Sequence, residues 1–565
     1  MAKALITSAL PYINGIKHLG NFAGSLLPAD IHARFRRQIG DETLFICATD
    51  EHGTPAELAA ARAGIDIREF CRAQHELQAG IYQRLHLSFD HFGRSSSVQN
   101  HALTQHFFLR LEARGLVEER IVEQIYSPAD ARFLPDRYVI GTCPFCRSER
   151  ARGDQCESCT RPLDPTDLLS PRSALSGSAD LERRPSRHLY LRQSALVEEL
   201  AAWIDSRKGW PRLVTSIARK WIAEGIADRC ITRDLAWGVP VPKPGFEGKV
   251  FYVWFDAPIA YIAAAQEWAD LDPALRDWRS WWLAGEEVDY IQFLGKDNVP
   301  FHTVSFPSTL LGSGEKWKTA DLIKGVNWLT YEGGKFSTSA RRGVFLDQAL
   351  DLLPADYWRW WLAANAPESG DTDFSFARFA VDVNHDLADT LGNLVNRVLK
   401  FVSSRYGGRV PEGGAPAEAE QRLTREIEQR LTSLRAHHAA VELRKSAEDV
   451  RAIWRLANNY LAAEAPWTAY GDDPARAAIV TRTGINLVAL AAIVAEPFIP
   501  ATAARILSAL GLSSAALGWP SAQTALVAIE ANKEVKAPPV LFAKLSPEWV
   551  AENTRRFAGT ASAEA

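Results

Sequence analysis

The sequence predicts an α/β protein: a doubly wound parallel sheet (a Rossmann-like catalytic domain), an inserted domain carrying paired cysteines, and a C-terminal all-helical domain. Three observations predict it. Residues 3–10 are a short apolar run broken by Pro11, Asn14 and Gly15; helical spacing follows over 19–37, then a second apolar run over 43–48. Strand, turn, helix and strand form a βαβ unit, whose crossover requires parallel strands. The stretch from about 116 to 232 breaks this rhythm and holds Cys143-Pro-Phe-Cys146 and Cys156-Glu-Ser-Cys159. From about 375 onward the pattern is helix after helix, with no strand-like alternation.

Each element has a local reason. In the first helix Phe22, Leu26, Leu27, Ile31 and Phe35 form an apolar stripe, and Gly40 supplies a stop. His18 opens that helix after the turn, and Asp50 follows the second run, so both fall where the strands of such a sheet end. After the insert the α/β pattern resumes with 249–256 and 289–295. Residues 418–443 are charged and amphipathic, and Glu496-Pro-Phe-Ile-Pro500 separates two helices.

The 565 residues are too many for one core, because single cores stop growing at roughly 250–300 residues. A formal charge of −4 does not exclude RNA, since a basic stripe can sit on an acidic molecule. No N-terminal apolar segment and no apolar run of membrane-crossing length is read, so no membrane association and a cytoplasmic location are expected. Seven cysteines in so long a chain do not form a disulfide scaffold. Cys47, Cys71 and Cys230 stand alone and read as buried small hydrophobes. Met1 is the single methionine beside 18 tryptophans; drift in an Ala/Arg-rich background accounts for that most simply.

Two Cys-x2-Cys pairs nine residues apart, with Gly141, Pro144, Gly153 and Pro162 around them, place four thiolates on two tight turns. That suits one tetrahedral Zn²⁺ held by Cys143, Cys146, Cys156 and Cys159, and a filled ligand set makes the ion structural. A helix N-terminus presents free N–H groups to phosphate, and His18 there can donate to phosphoryl oxygens. Gly333-Gly334-Lys335 followed by Ser337-Thr338-Ser339 suits a mobile loop that clamps pyrophosphate. Taken singly, His18 reads more readily as a structural histidine and the Lys335 segment as an exposed polar loop.

In order along the chain these motifs resemble the class I aminoacyl-tRNA synthetases and, more narrowly, the methionyl-tRNA synthetase family. The resemblance is carried by Ala9-Leu-Pro-Tyr-Ile-Asn-Gly15, His18-Leu-Gly-Asn21, Cys47-Ala-Thr-Asp-Glu-His-Gly-Thr-Pro55 and Gly141-Thr-Cys-Pro-Phe-Cys146. Further on it is carried by Tyr252-Val-Trp-Phe-Asp-Ala-Pro-Ile259, Phe293-Leu-Gly-Lys-Asp297 with Phe301-His302, and Ala465-Pro-Trp467. It implies a methionine–tRNA ligase. Ala9, Leu10, Tyr12, Trp254, Ala257, Pro258, Tyr261 and His302 would line the methionine pocket, with Asp50 pairing the substrate ammonium. His18, Asn21 and Lys335 would be catalytic, and with Asp297, Ser337, Thr338 and Ser339 would hold ATP and its Mg²⁺. Asn393, Arg397 and Trp467 would read the CAU anticodon of tRNA(Met). Asn21 stands for the second His of the family's first signature; Phe336 and Thr338 stand for Met and the second Lys of its loop. The Thr338 change removes one cation, for which Arg341 or Arg342 could substitute.

The expected division is 1–115 and 233–325 for the two halves of the catalytic domain and 116–232 for the insert with its zinc knuckle. A connecting segment over 326–385, a helical anticodon-binding domain over 386–535 and an extension over 536–565, packing back with a frayed tail, complete it. Ending after the helical region favours a monomer. Two alternatives stay open: another small class I synthetase of the cysteinyl type, and a non-catalytic RNA-binding paralogue.

Overall fold

The computed structural model describes the chain except residues 1, 150, 155, 157, 160, 162, 338–340, 514–517 and 560–565. Thr338 and Ser339 therefore lie outside the described residues, as do Pro162 and the end of the tail.

Five parallel strands form the central sheet, in the order Leu322–Val326, Val288–Gly295, Lys3–Ser8, Glu42–Thr49 and His91–Arg94. The middle strands are buried on both faces, which is why they read as continuous apolar runs without alternation. From Lys3–Ser8 the chain proceeds to one side through Glu42–Thr49 and returns much later on the other through Val288–Gly295. The strand order thus reverses beside Lys3–Ser8, and a crevice opens there at the C-terminal strand ends.

The first helix runs without a break through Leu19–Asn21, a π-helical stretch Phe22–Leu26, and Leu27–Gln38. Its stripe of Phe22, Leu26, Leu27, Ile31 and Phe35 is buried, and Gly40 follows at φ +89°. The run 249–256 differs from expectation. Only Val250–Phe251 is extended, it pairs antiparallel with Thr232–Arg233, and Val253–Asp256 then turns into a helix. Pairing with the end of the insert, not with the parallel sheet, decides its state.

In the insert, Val117–Ser127 and Glu182–Leu191 form a long antiparallel pair. A small sheet with Val139–Thr142 between Ala151–Arg152 and Leu169–Ser173 carries the cysteine turns. Two of its glycines are required by close approach: a Cβ on Gly141 would lie 2.8 Å from the Leu169 carbonyl oxygen, and one on Gly153 2.4 Å from that of Asp136. Helices Val197–Ser206 and Arg212–Ala223 contribute Leu200, Trp203, Ile204, Val214 and Ala218 to the apolar cluster under the parallel sheet.

Cys47 and Cys71 are buried as expected, but Cys230 is half-buried. Its thiol donates to the Thr232 carbonyl at 3.4 Å.

Helix Ala355–Ala364 is buried along its whole length and joins the two halves of the molecule. Its Arg359 donates to Asp30 at 2.6 Å, to the carbonyls of Pro497 and Phe498 at 2.9 Å, and to that of Leu85 at 3.1 Å. Arg34 also donates to Asp30 at 2.9 Å and to Glu496 at 2.5 Å. The helical region follows with Asn393–Arg405, Glu418–Ala439, Leu443–Glu464, Pro474–Ala495 and Pro500–Ala509. Contrary to the reading of the sequence, Pro474–Ala495 is long and apolar enough to cross a bilayer. It is instead mostly buried among its neighbours, as a helix apolar all round must be in a folded core. Pro547–Arg556 packs back on Phe376–Val383 through Trp549 and Phe379.

Candidate active site

The crevice at the strand ends holds a cavity of about 70 Å³ lined by Ala9, Leu10, Tyr12, Asp50, Trp254, Ala257, Pro258, Tyr261, Asn298, Phe301 and His302. Ala9 and Leu10 leave the end of Lys3–Ser8, and Asp50 leaves the end of Glu42–Thr49. Backbone bonds from Ile13 to the Asp50 carbonyl and from Asp50 to the Pro11 carbonyl, both 2.9 Å, tie the two strand exits together. Asp50 caps no helix; Gly53 occupies that place for Thr54–Ala63.

Trp254 packs against Phe301 with ring centroids 4.6 Å apart, and the Arg229 guanidinium lies over Trp254 at 5.0 Å. Deeper in, His302 Nδ1 meets the Asn298 carbonyl at 2.9 Å, which requires the proton on Nδ1. Nε2 is then the acceptor for the Tyr261 hydroxyl at 3.0 Å. Burial pushes His302 down to about 4, so this neutral form holds at physiological pH. The wall is thus aromatic with one fixed hydroxyl–imidazole pair, a surface suited to a soft apolar side chain.

Asp50 is 6% exposed, and its Oδ1 has no hydrogen-bond partner among the described residues. Burial, then the nearby Asp256 and Glu51 carboxylates, push it well above the usual carboxylate range, against the pull of Lys17. Asp256 is itself held by His52 Nδ1 at 2.7 Å. A cation entering the cavity would satisfy Asp50 directly.

At the rim His18 precedes Leu19–Asn21 with φ −99° and ψ 171°, and its N–H donates to Asn21 Oδ1 at 3.2 Å. Burial, then Lys17, push its imidazole down to about 4. Across the rim Leu329–Tyr331 leads into the Gly333-Gly334 turn, and Phe336 lies face to face on His18 at 4.5 Å. Lys335 is exposed, its Nζ 5.2 Å from the centre of the Trp328 ring. Trp328 donates to Asp297 at 3.2 Å, and Lys296 reaches Asp371 at 2.7 Å. The His18 imidazole thus stacks on the loop that carries Lys335, and Lys335 and Asp297 both meet Trp328 at this rim. Arg342 does not face it: its guanidinium donates to the Tyr331 and Glu332 carbonyls at 2.9 and 3.0 Å. Ser337 is bridged to Arg342 through the backbone, and Arg341 is exposed at φ +48°.

The four cysteine sulfurs all lie within 4.8 Å of one another, with Cys143 to Cys159 at 3.8 Å and Cys146 to Cys156 at 3.6 Å. This group could hold a metal ion.

The family model described as tRNA synthetases class I (M) matches residues 4–399, and the one described as anticodon binding domain of methionyl tRNA ligase matches 410–562. The methionine–tRNA ligase of Caulobacter sp. (strain K31) is 57% identical over 569 residues, covering 99% of this chain and 100% of the relative. This chain belongs to the methionyl-tRNA synthetase family. The methionine–tRNA ligase of Ruegeria sp. (strain TM1040) is 56% identical over 575 residues, with 100% of both chains covered. Among solved structures, Mycobacterium tuberculosis methionyl-tRNA synthetase in complex with methionyl-adenylate shares the fold. Its TM-score is 0.76 at 24% identity, over 96% of this chain and 100% of that one.

A second cluster lies in the helical region. Arg397 lies over the Trp467 ring at 4.3 Å, and Trp467 is 36% exposed. Ala465 at φ +34° and Pro466 set the turn that presents the indole. Asn393 is exposed one helical turn before Arg397. Sequence reasoning missed Asn298 and Phe301 in the cavity and Lys296 and Trp328 at the rim of this synthetase. Phe301 and Lys296 sit inside quoted motifs, whereas nothing in the sequence marks Trp328.

Proposed function

We propose that the crevice binds methionine in the aromatic cavity and Mg²⁺·ATP at the rim, forms methionyl-adenylate and passes the methionyl group to the 3′ end of tRNA(Met). The observation that supports this reading is an aromatic cavity at the ends of Lys3–Ser8 and Glu42–Thr49, together with His18 stacked on Phe336, the residue next to Lys335. Asp50 pairs with the substrate ammonium, which relieves its buried, repelled carboxylate. Ala9, Leu10, Tyr12, Trp254, Ala257, Pro258, Tyr261 and His302 enclose the side chain. A single methylene distinguishes competitors by only about 1–3 kcal/mol, so enclosure has to be close.

The methionine carboxylate attacks the α-phosphorus in line and pyrophosphate leaves. His18, neutral at working pH, donates a hydrogen bond to phosphoryl oxygen; Asn21 supports it, and Lys335 with the hydroxyls of Ser337, Thr338 and Ser339 holds the leaving pyrophosphate. Asp297 accepts from the ribose. Positioning and charge stabilisation supply the rate, with no covalent enzyme intermediate. Asn393, Arg397 and Trp467 receive the unstacked bases of the CAU anticodon, an indole offering a stacking face and the other two hydrogen bonds.

The expected outcome for Trp467→Ala is loss of tRNA(Met) charging with methionine-dependent pyrophosphate exchange intact. Exchange with an amino acid other than methionine, or loss of both activities together, would overturn the assignment.

Zn²⁺ is the ion we assign to the four cysteines. Bonds of about 2.3 Å in a tetrahedron set sulfurs about 3.8 Å apart, close to the spacing observed. Elemental analysis of purified protein should give one zinc per chain, and Cys159→Ser should lose it and loosen the insert. Zinc retained in that variant would count against the site. We further propose the domain division given above, a cytoplasmic location and a monomeric state.

A further inference from the structure

Ring orientation at His18 poses a problem. A working imidazole is normally fixed by a hydrogen bond from its second nitrogen. Here Nδ1 is buried and has no partner among the described residues. What meets the imidazole instead is Phe336, stacked at 4.5 Å with the planes 8° apart, and the edge of Phe345 at 6.1 Å.

The backbone is cut away for this stack on both sides. A Cβ on Gly343 would lie 2.2 Å from Phe336 Cδ1, and one on Gly20 2.9 Å from His18 Cε1 and Nδ1. Gly343 also takes φ +95°, and its N–H donates to the Phe557 carbonyl at 3.1 Å, so the notch is anchored to the end of the C-terminal helix. Tyr331 tilts against Phe336 from behind, with centroids 5.6 Å apart.

We propose that Phe336 is a positioning residue that clamps the His18 imidazole in its working plane, so that one loop placement both delivers the Lys335 ammonium and orients His18. The two residues are consecutive, and the loop cannot seat one without the other. Phe336 touches no reacting atom; it acts through His18. A flexible thioether at this position would fill the space without imposing a plane.

This inference rests on the proposed role of His18 toward ATP phosphate, and the experiment separates the two. Methionine-dependent pyrophosphate exchange is measured from pH 5 to 8 on the full chain and on Phe336→Tyr, Phe336→Leu, Phe336→Met and His18→Ala variants. The tyrosine variant should match the parent, since it keeps the ring. The leucine and methionine variants should lose roughly tenfold in kcat, the scale of one aromatic contact, with the methionine KM unchanged. Their acid limb should also move upward. Burial holds His18 down at about 4, and thinning its cover returns it toward the ordinary imidazole range, so protonation sets in at higher pH. Parent-like kcat and pH profile in either aliphatic variant overturn the clamp, as does a tyrosine variant no better than leucine. Full activity of His18→Ala would instead overturn the role of His18 itself.

Discussion

Replacing Lys335 by alanine is expected to lower methionine-dependent pyrophosphate exchange by about 10²–10³-fold, the cost of one pre-placed charge at a developing anion. The size follows from what else stands at the rim. Position 338, the family's second loop lysine, is threonine. Arg342 is spent on the Tyr331 and Glu332 carbonyls, holding the turn in shape. Lys296 is paired with Asp371. Of the two loop arginines, exposed Arg341 is the candidate for the lost cation, so Arg341→Ala should add a smaller loss, and the two losses should not simply sum because both act on one leaving group. Single-turnover adenylate formation is the direct measurement. An Lys335→Ala enzyme of unaltered rate would remove the loop from the mechanism.

The second large effect is on stability. Arg359→Met should destabilise the junction of catalytic and helical regions by about 3–5 kcal/mol, because it strips a buried carboxylate of a fully buried partner. Burial alone would raise the Asp30 carboxyl; the guanidiniums of Arg34 and Arg359 and the donors of Ser88 overcome that and hold it far below the usual carboxylate range. A carboxyl lowered on folding stabilises the protein above its unfolded value of roughly 3.9, and that contribution fades as pH falls further. At neutral pH the contribution is fully present, so denaturant unfolding near pH 7 is the test. The Asp30→Asn, Arg359→Met double variant should recover part of the loss by removing both charges. A single variant as stable as the parent would show that neither the ion pair nor the guanidinium's bonds to the Pro497 and Phe498 carbonyls hold the junction.

The sequence and the structure agree most closely where chemistry is tied to spacing. Paired cysteines close one cluster because two short turns leave them little freedom. The residues read as the methionine pocket, from Ala9 to His302, line one cavity because strand ends of a parallel sheet must converge. Agreement fails where a long-range partner decides. The run 249–256 is apolar enough for a strand, and only pairing with Thr232–Arg233 shows where its short extended part belongs. Arg342 and Arg341 are adjacent in sequence, yet one curls under its own turn and the other faces solvent. Asp30 and Arg359 are 329 positions apart, and no local pattern announces their meeting. Trp328 is invisible as a site residue because a tryptophan after a buried strand reads as core.

The apolar cluster that buries Leu19 and Phe22 of the signature helix is continuous through Trp358, Trp360 and Trp454 to Val488, Phe498 and Phe557. Leu19, next to His18, and Leu461, on the helix that leads to Trp467, belong to this one cluster, like the jaws of a caliper that share one beam. On the function proposed above, a tRNA brought to this molecule is gauged for reach as well as spelled, and both checks rest on the same packed hydrocarbon.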